Sequence, residues 1–101
     1  MELDQLTIEV FEPHIGEMFK VTAPDGKSVD IRLAKVGRIM DRVRSQRLKR
    51  EPFAIYFESS PEFHMRQFTY AVSHPVLGEL SIFIVPVSRD DGSYWYEAVF
   101  T

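Results

Sequence analysis

Apolar and polar residues alternate most regularly in the last third of the chain. The two kinds alternate from Gln67 to Ser73, and His74-Pro75-Val76-Leu77-Gly78 then reads as a turn. Glu79–Val87 is strongly apolar, Arg89-Asp90-Asp91-Gly92 reads as a second turn, and Ser93–Phe100 closes on an aromatic run. A period of two, interrupted by proline, glycine and aspartate, predicts three antiparallel strands joined by tight turns. Phe68, Tyr70 and Val72, then Leu80, Ile82 and Ile84, then Tyr94, Tyr96, Ala98 and Phe100 fall on one face, which predicts a core.

The first half carries the same period less evenly. Glu17–Ala23 and Ser28–Lys35 alternate on either side of Pro24-Asp25-Gly26-Lys27, a turn in which proline presets φ and glycine is free to take a positive value. Phe53–Glu58 reads as a strand with Phe53, Ile55 and Phe57 on one face and Ala54 and Tyr56 on the other. Val36, Ile39, Met40 and Val43 have helical spacing, but Gly37 and the like charges that follow favour a strand to about residue 39 and then an exposed loop. A short basic helix is the alternative there.

Near the N-terminus, Thr7 can cap one or two helical turns over residues 7–15, Pro13 prevents a continuous helix, and Gly16 can end the segment in a left-handed conformation. These turns would lay Phe11 and Ile15 over an open end of the sheet. The expected strands are 17–23, 28–39, 53–58, 67–73, 79–87 and 93–100. Short strands joined by short turns predict an all-β fold with one short N-terminal helical segment, its six antiparallel strands in a meander forming a small barrel or sandwich. Residues 1–101 form one expected domain, with 1–16 as helical cover and 40–52 as a basic loop.

Composition narrows the class. An apolar share of 45% with 13% aromatic is globular, and the absence of cysteine removes disulfide and thiolate chemistry. The longest apolar run, Leu80–Val87, is far shorter than the roughly 18–20 residues that cross a bilayer, and residues 1–20 lack the pattern of a signal peptide. A cytoplasmic protein without a membrane partner is expected. The net charge of −3 conceals an asymmetry: residues 41–51 hold five basic and two acidic residues, and the remainder holds seven and thirteen. The basic residues Arg42, Arg44, Arg47, Lys49 and Arg50 form either a solvated loop or an arm for an acidic protein surface. Nucleic acid is the weaker reading, because the body is acidic and no aromatics interleave with these cations.

The second face of the C-terminal strands is not uniformly polar. Phe83, Val85 and Val87 lie on one strand and Trp95 and Val99 on the next, so something is expected to cover them. The N-terminal segment is the plain candidate; a protein partner or a second copy of the chain is the sharper one. Tyr56, Phe83, Val85 and Trp95 are the expected apolar anchors, since tryptophan and tyrosine are enriched among binding hot spots.

Signals for chemistry are weak. There is no Gly-x-Ser-x-Gly and no glycine-rich phosphate loop. His14, His64 and His74 lie far apart in sequence without metal-ligand spacing, and Asp90-Asp91-Gly92 lacks the alternating oxygens of a calcium loop. No catalytic residue, cofactor or metal is expected, and the chain reads as a non-enzyme. A small barrel holding an apolar ligand is the alternative function, its ligand left open.

Several stretches are similar to a family of small bacterial proteins catalogued as a domain of unknown function. They are Phe11-Glu12-Pro13-His14-Ile15-Gly16-Glu17-Met18-Phe19, Arg50-Glu51-Pro52-Phe53, His74-Pro75-Val76-Leu77-Gly78-Glu79-Leu80, Phe83-Ile84-Val85-Pro86-Val87 and the closing Tyr96-Glu97-Ala98-Val99-Phe100. Members resemble proteins encoded near phage-tail-like or fibre-collar proteins. The resemblance implies a structural or accessory part in a tail-like or surface-fibre assembly and supplies no catalytic residues.

Overall fold

The computed structural model describes residues 6–38, 52–60, 64–90 and 92–100. A single helical turn, α1 (Ile8–Phe11), runs into a 3-10 turn (Glu12–His14). Six strands follow: β1 (Met18–Thr22), β2 (Ser28–Arg38), β3 (Phe53–Ser59), β4 (Phe68–His74), β5 (Gly78–Asp90) and β6 (Ser93–Phe100). They close into a barrel in the order β1-β2-β3-β6-β5-β4, every pair antiparallel. The barrel is therefore two three-stranded meanders sealed along β3–β6 and β1–β4. Closure gives each strand a neighbour on both sides.

Two bulges let the strands curve. The register shifts between Leu33 and Lys35 in β2 and between Pro86 and Ser88 in β5. Pro86 has no N–H to give to a ladder, which suits it to a bulge. Each shift also reverses which residues face inward: Ile31 and Leu33 point in before the first bulge, and Val36, paired with Ile55, after it. The second bulge carries β5 beyond the expected end at Val87 to Asp90, pairing Ser88 with Trp95, Arg89 with Tyr94 and Asp90 with Ser93. The expected turn at 89–92 shrinks accordingly.

The interior is filled by side chains from all six strands, including Phe19, Ile31, Leu33, Phe53, Ile55, Phe57, Val72, Ile82, Ile84 and Tyr96. One mouth is plugged by α1. The Phe11 ring lies 6.0 Å from Phe53 and 5.6 Å from Phe100, which stack on each other at 4.8 Å. Leu6 and Ile8 are buried with it. Ile15, expected to join the plug, stays 45% exposed, because it is the extended residue that leaves the 3-10 turn. Gly16 takes φ 93° and donates its N–H to the Leu33 carbonyl at 2.7 Å, while Leu33 N–H returns to Glu17 O at 3.0 Å. This exchange ties the plug to β2 and fixes the position of Glu17.

The described part of the N-terminal segment, residues 6–16, thus covers a mouth of the barrel. His74 is not in the turn that the sequence suggests: it is the last residue of β4 and is buried. Among the described residues no helix is long and apolar enough to cross a membrane. The expected basic arm, Arg42, Arg44, Arg47, Lys49 and Arg50, lies outside the described residues.

Candidate functional site

Three surfaces of the barrel hold side chains that could act. The first is the outer wall of β3, β6 and β5, which carries all four expected apolar anchors. Across it, Lys35 pairs with Tyr56, Tyr56 with Glu97 and Glu97 with Val85. A second row joins Arg32, Glu58, Trp95 and Ser88 in the same way. Phe83 is 50% exposed, Val87 49% and Val99 41%, whereas Val85 and Trp95 are partly buried. Tyr56 is committed within the wall: its hydroxyl donates to Glu97 Oε2 at 2.8 Å and the Lys35 ammonium lies 5.0 Å from its ring centre. Arg32 donates to Glu58 beside it. Arg32 and Glu58 thus satisfy each other, Glu97 is held by Tyr56, and these polar side chains lie among the apolar residues of the wall.

The second surface lies beside the plugged mouth, where the fold brings His14 and His74 onto one carboxylate. Glu17 Oε1 is 2.8 Å from His14 Nδ1 and 2.7 Å from His74 Nε2, and the two imidazoles meet edge to face at 4.6 Å. His74 packs on Phe19, ring centres 4.6 Å apart. Its Nδ1 accepts from the backbone N–H groups of Val76 at 3.1 Å and Leu77 at 3.2 Å. A neutral imidazole has one N–H, so a ring that accepts at Nδ1 carries its proton on Nε2 and donates it to Glu17.

That tautomer decides what the group can do. The ligand atoms of His14, Glu17 and His74 lie within 4.8 Å of one another, a spacing compatible with a metal ion. Nε2 of His74, however, has no lone pair to offer a cation while Nδ1 accepts from the turn. Moving the proton to Nδ1 would set it against two N–H donors. The three side chains form a hydrogen-bonded clasp that joins the plug to the β4–β5 turn, not a preformed metal site. Sequence spacing could not reveal it, since Glu17 and His74 are 57 residues apart.

The hydrogen bond from His14, then that from His74, holds the Glu17 carboxyl below its ordinary value of 4.5, with partial burial opposing them. A carboxyl depressed in the folded state contributes stability above its unfolded pKa and loses it as pH falls through the folded value. The stability difference between the wild type and Glu17→Gln should therefore be full above about pH 4.5 and shrink below it. Urea titrations across that range measure it, and a difference independent of pH would refute the clasp.

The third surface is the opposite mouth, where a cleft of about 600 Å³ opens between the β1–β2 turn and the segment leading into β4. Val21, Val29, Met65, Phe68 and Tyr70 are among its apolar walls, and Lys27, Arg66, His64 and Asp25 supply polar groups. Space of ligand size lies here, at the mouth.

A closed antiparallel barrel with one plugged mouth and an apolar outer wall defines a small all-β barrel domain. Residues 6–100 match the family described as "Domain of unknown function (DUF6916)", and the chain belongs to that family. The match starts at the first buried residue of the plug and stops at the last residue of β6, so plug and barrel are inherited together. No curated protein and no solved structure matches the chain.

Proposed function

We propose that this barrel is a non-catalytic interaction module that docks onto a protein subunit through the outer wall of β3, β6 and β5. The observation that carries the reading is the exposure of Phe83, Val87 and Val99 beside partly buried Trp95 and Val85, on a wall where Arg32 pairs with Glu58 and Tyr56 holds Glu97. Exposed apolar and aromatic side chains among polar groups that already hold partners suit a protein interface. The occupant is a protein subunit, with the basic residues Arg42, Arg44, Arg47, Lys49 and Arg50 as a further contact for an acidic neighbour. The resemblance to bacterial proteins encoded near phage-tail-like or fibre-collar proteins supports an accessory place in a tail-like or surface-fibre assembly.

The test is light scattering at two concentrations, alone and with each structural protein encoded beside the gene. Trp95→Ala should weaken the complex by about tenfold or more, as hot-spot truncations do, and Phe83→Asp should abolish it. Both should leave the melting temperature within a few degrees of the wild type. If melting temperature falls while binding persists, these are plain structural residues and the docking wall is wrong.

A further inference from the structure

The unplugged mouth points to a second site, independent of the docking wall. Its cleft of about 600 Å³ falls in the middle of the roughly 300–1,000 Å³ range of small-molecule sites. The floor is largely apolar: Met65 and Tyr70 are buried although they line the cleft, and burial raises the Tyr70 hydroxyl above its ordinary value. That hydroxyl donates to the Arg66 carbonyl at 2.7 Å, and the buried Tyr70 ring backs Phe68 from the core side. Phe68, 39% exposed, meets the Tyr70 ring edge to face at 5.4 Å and extends the floor.

The polar groups around this floor are mainly cationic, in a chain whose net charge is −3. Lys27, Arg66 and His64 are exposed at the cleft. The Arg66 guanidinium carbon lies 5.9 Å from the Phe68 ring centre, which holds the charge beside the apolar surface. Among the described residues the single acid in the lining, Asp25, accepts from the Lys27 backbone N–H at 3.0 Å and so shapes the turn. A greasy floor beside two permanent cations selects an amphiphile with an anionic head.

We propose that the cleft binds a medium-chain carboxylate, its aliphatic chain lying on Phe68 and Tyr70 and its head meeting Lys27 and Arg66. A neutral chain would gain nothing from Lys27 and Arg66, and a cationic head would be repelled by them. Isothermal titration calorimetry with decanoate, decan-1-ol and decyltrimethylammonium below their aggregation concentrations separates these cases. Decanoate should saturate one site and bind tightest. Lys27→Glu combined with Arg66→Glu should weaken decanoate roughly tenfold or more, the loss expected for a charged hydrogen bond, and leave decan-1-ol within about twofold. Phe68→Ala should weaken both. Circular dichroism of each variant checks that the barrel is intact, and the charge reversal, confined to exposed side chains, keeps the test valid if Phe68→Ala does not fold. Equal binding of all three amphiphiles, indifference to the charge reversal, or no saturable binding of decanoate would each overturn the proposal. None of these outcomes bears on Trp95 and Phe83, whose complex is measured separately.

Discussion

Phe11→Ala should cost the barrel about 3–5 kcal/mol, the range for truncating a fully buried aromatic. Phe11 is fully buried, and its ring packs against the stacked pair Phe53 and Phe100 at the plugged mouth. Those two rings would then face a void that the short α1 cannot collapse into, because Gly16 is tied to Leu33 and restrains the segment. A domain of this size has a total stability of about 5–15 kcal/mol, so the loss is a large fraction of the whole. Thermal and urea unfolding would measure it, with an expected fall in melting temperature on the order of 15–30 °C. A loss below about 1 kcal/mol would mean that the barrel holds its shape without the plug.

The second large effect is expected at His74, a buried polar residue at the end of a strand. His74→Leu keeps the ring's approximate volume against Phe19 but removes the acceptor used by Val76 and Leu77 and the donor used by Glu17. Leu77 is buried, so its N–H would be left without a partner, and an orphaned buried donor costs about 1–3 kcal/mol. The expected destabilisation is of that size, with the exposed contact to Glu17 adding little. His74→Asn supplies an acceptor near the position of Nδ1 and should recover part of that loss, while remaining too short for Glu17. Amide exchange at Leu77 is the local readout: it should accelerate in His74→Leu and be partly restored in His74→Asn. Equal behaviour of the two variants would remove the role assigned to Nδ1.

Much of the fold is legible because strand signals are local. A period of two over Gln67–Ser73 or Phe53–Glu58 assigns alternate residues to opposite faces whatever the rest of the chain does. The expected inward set accordingly lines the interior from Tyr70 to Phe100, with Tyr94 packed at its margin, whereas Phe68 is 39% exposed at the open mouth instead of in the core. Strand ends were less legible. β5 continues to Asp90 because a bulge after Pro86 restores pairing with β6, and a bulge depends on the neighbouring strand. Ile15 was misplaced for a similar reason: its spacing from Phe11 suits one helical face, but Pro13 converts that helix into a 3-10 turn that releases Ile15 outward.

The candidate sites divide along the same line. Apolar residues on both faces of β5 and β6 can be counted from the sequence, and they identify the outer wall. The clasp cannot be counted that way, because His14 and His74 have unremarkable neighbours and meet only when β1 pairs with β4. The mouth cleft likewise joins the β1–β2 turn to residues that precede β4, two segments far apart in the chain.

By itself, then, the sequence determined six strands, their inward residues and a second apolar face, since side-chain alternation needs no knowledge of distant partners. Tertiary structure alone decided that the sheet closes as a barrel, which mouth is plugged, and that one carboxylate holds two imidazoles. These depend on strand pairings between distant segments, β1 with β4 and β3 with β6, whose register follows from how the whole interior packs.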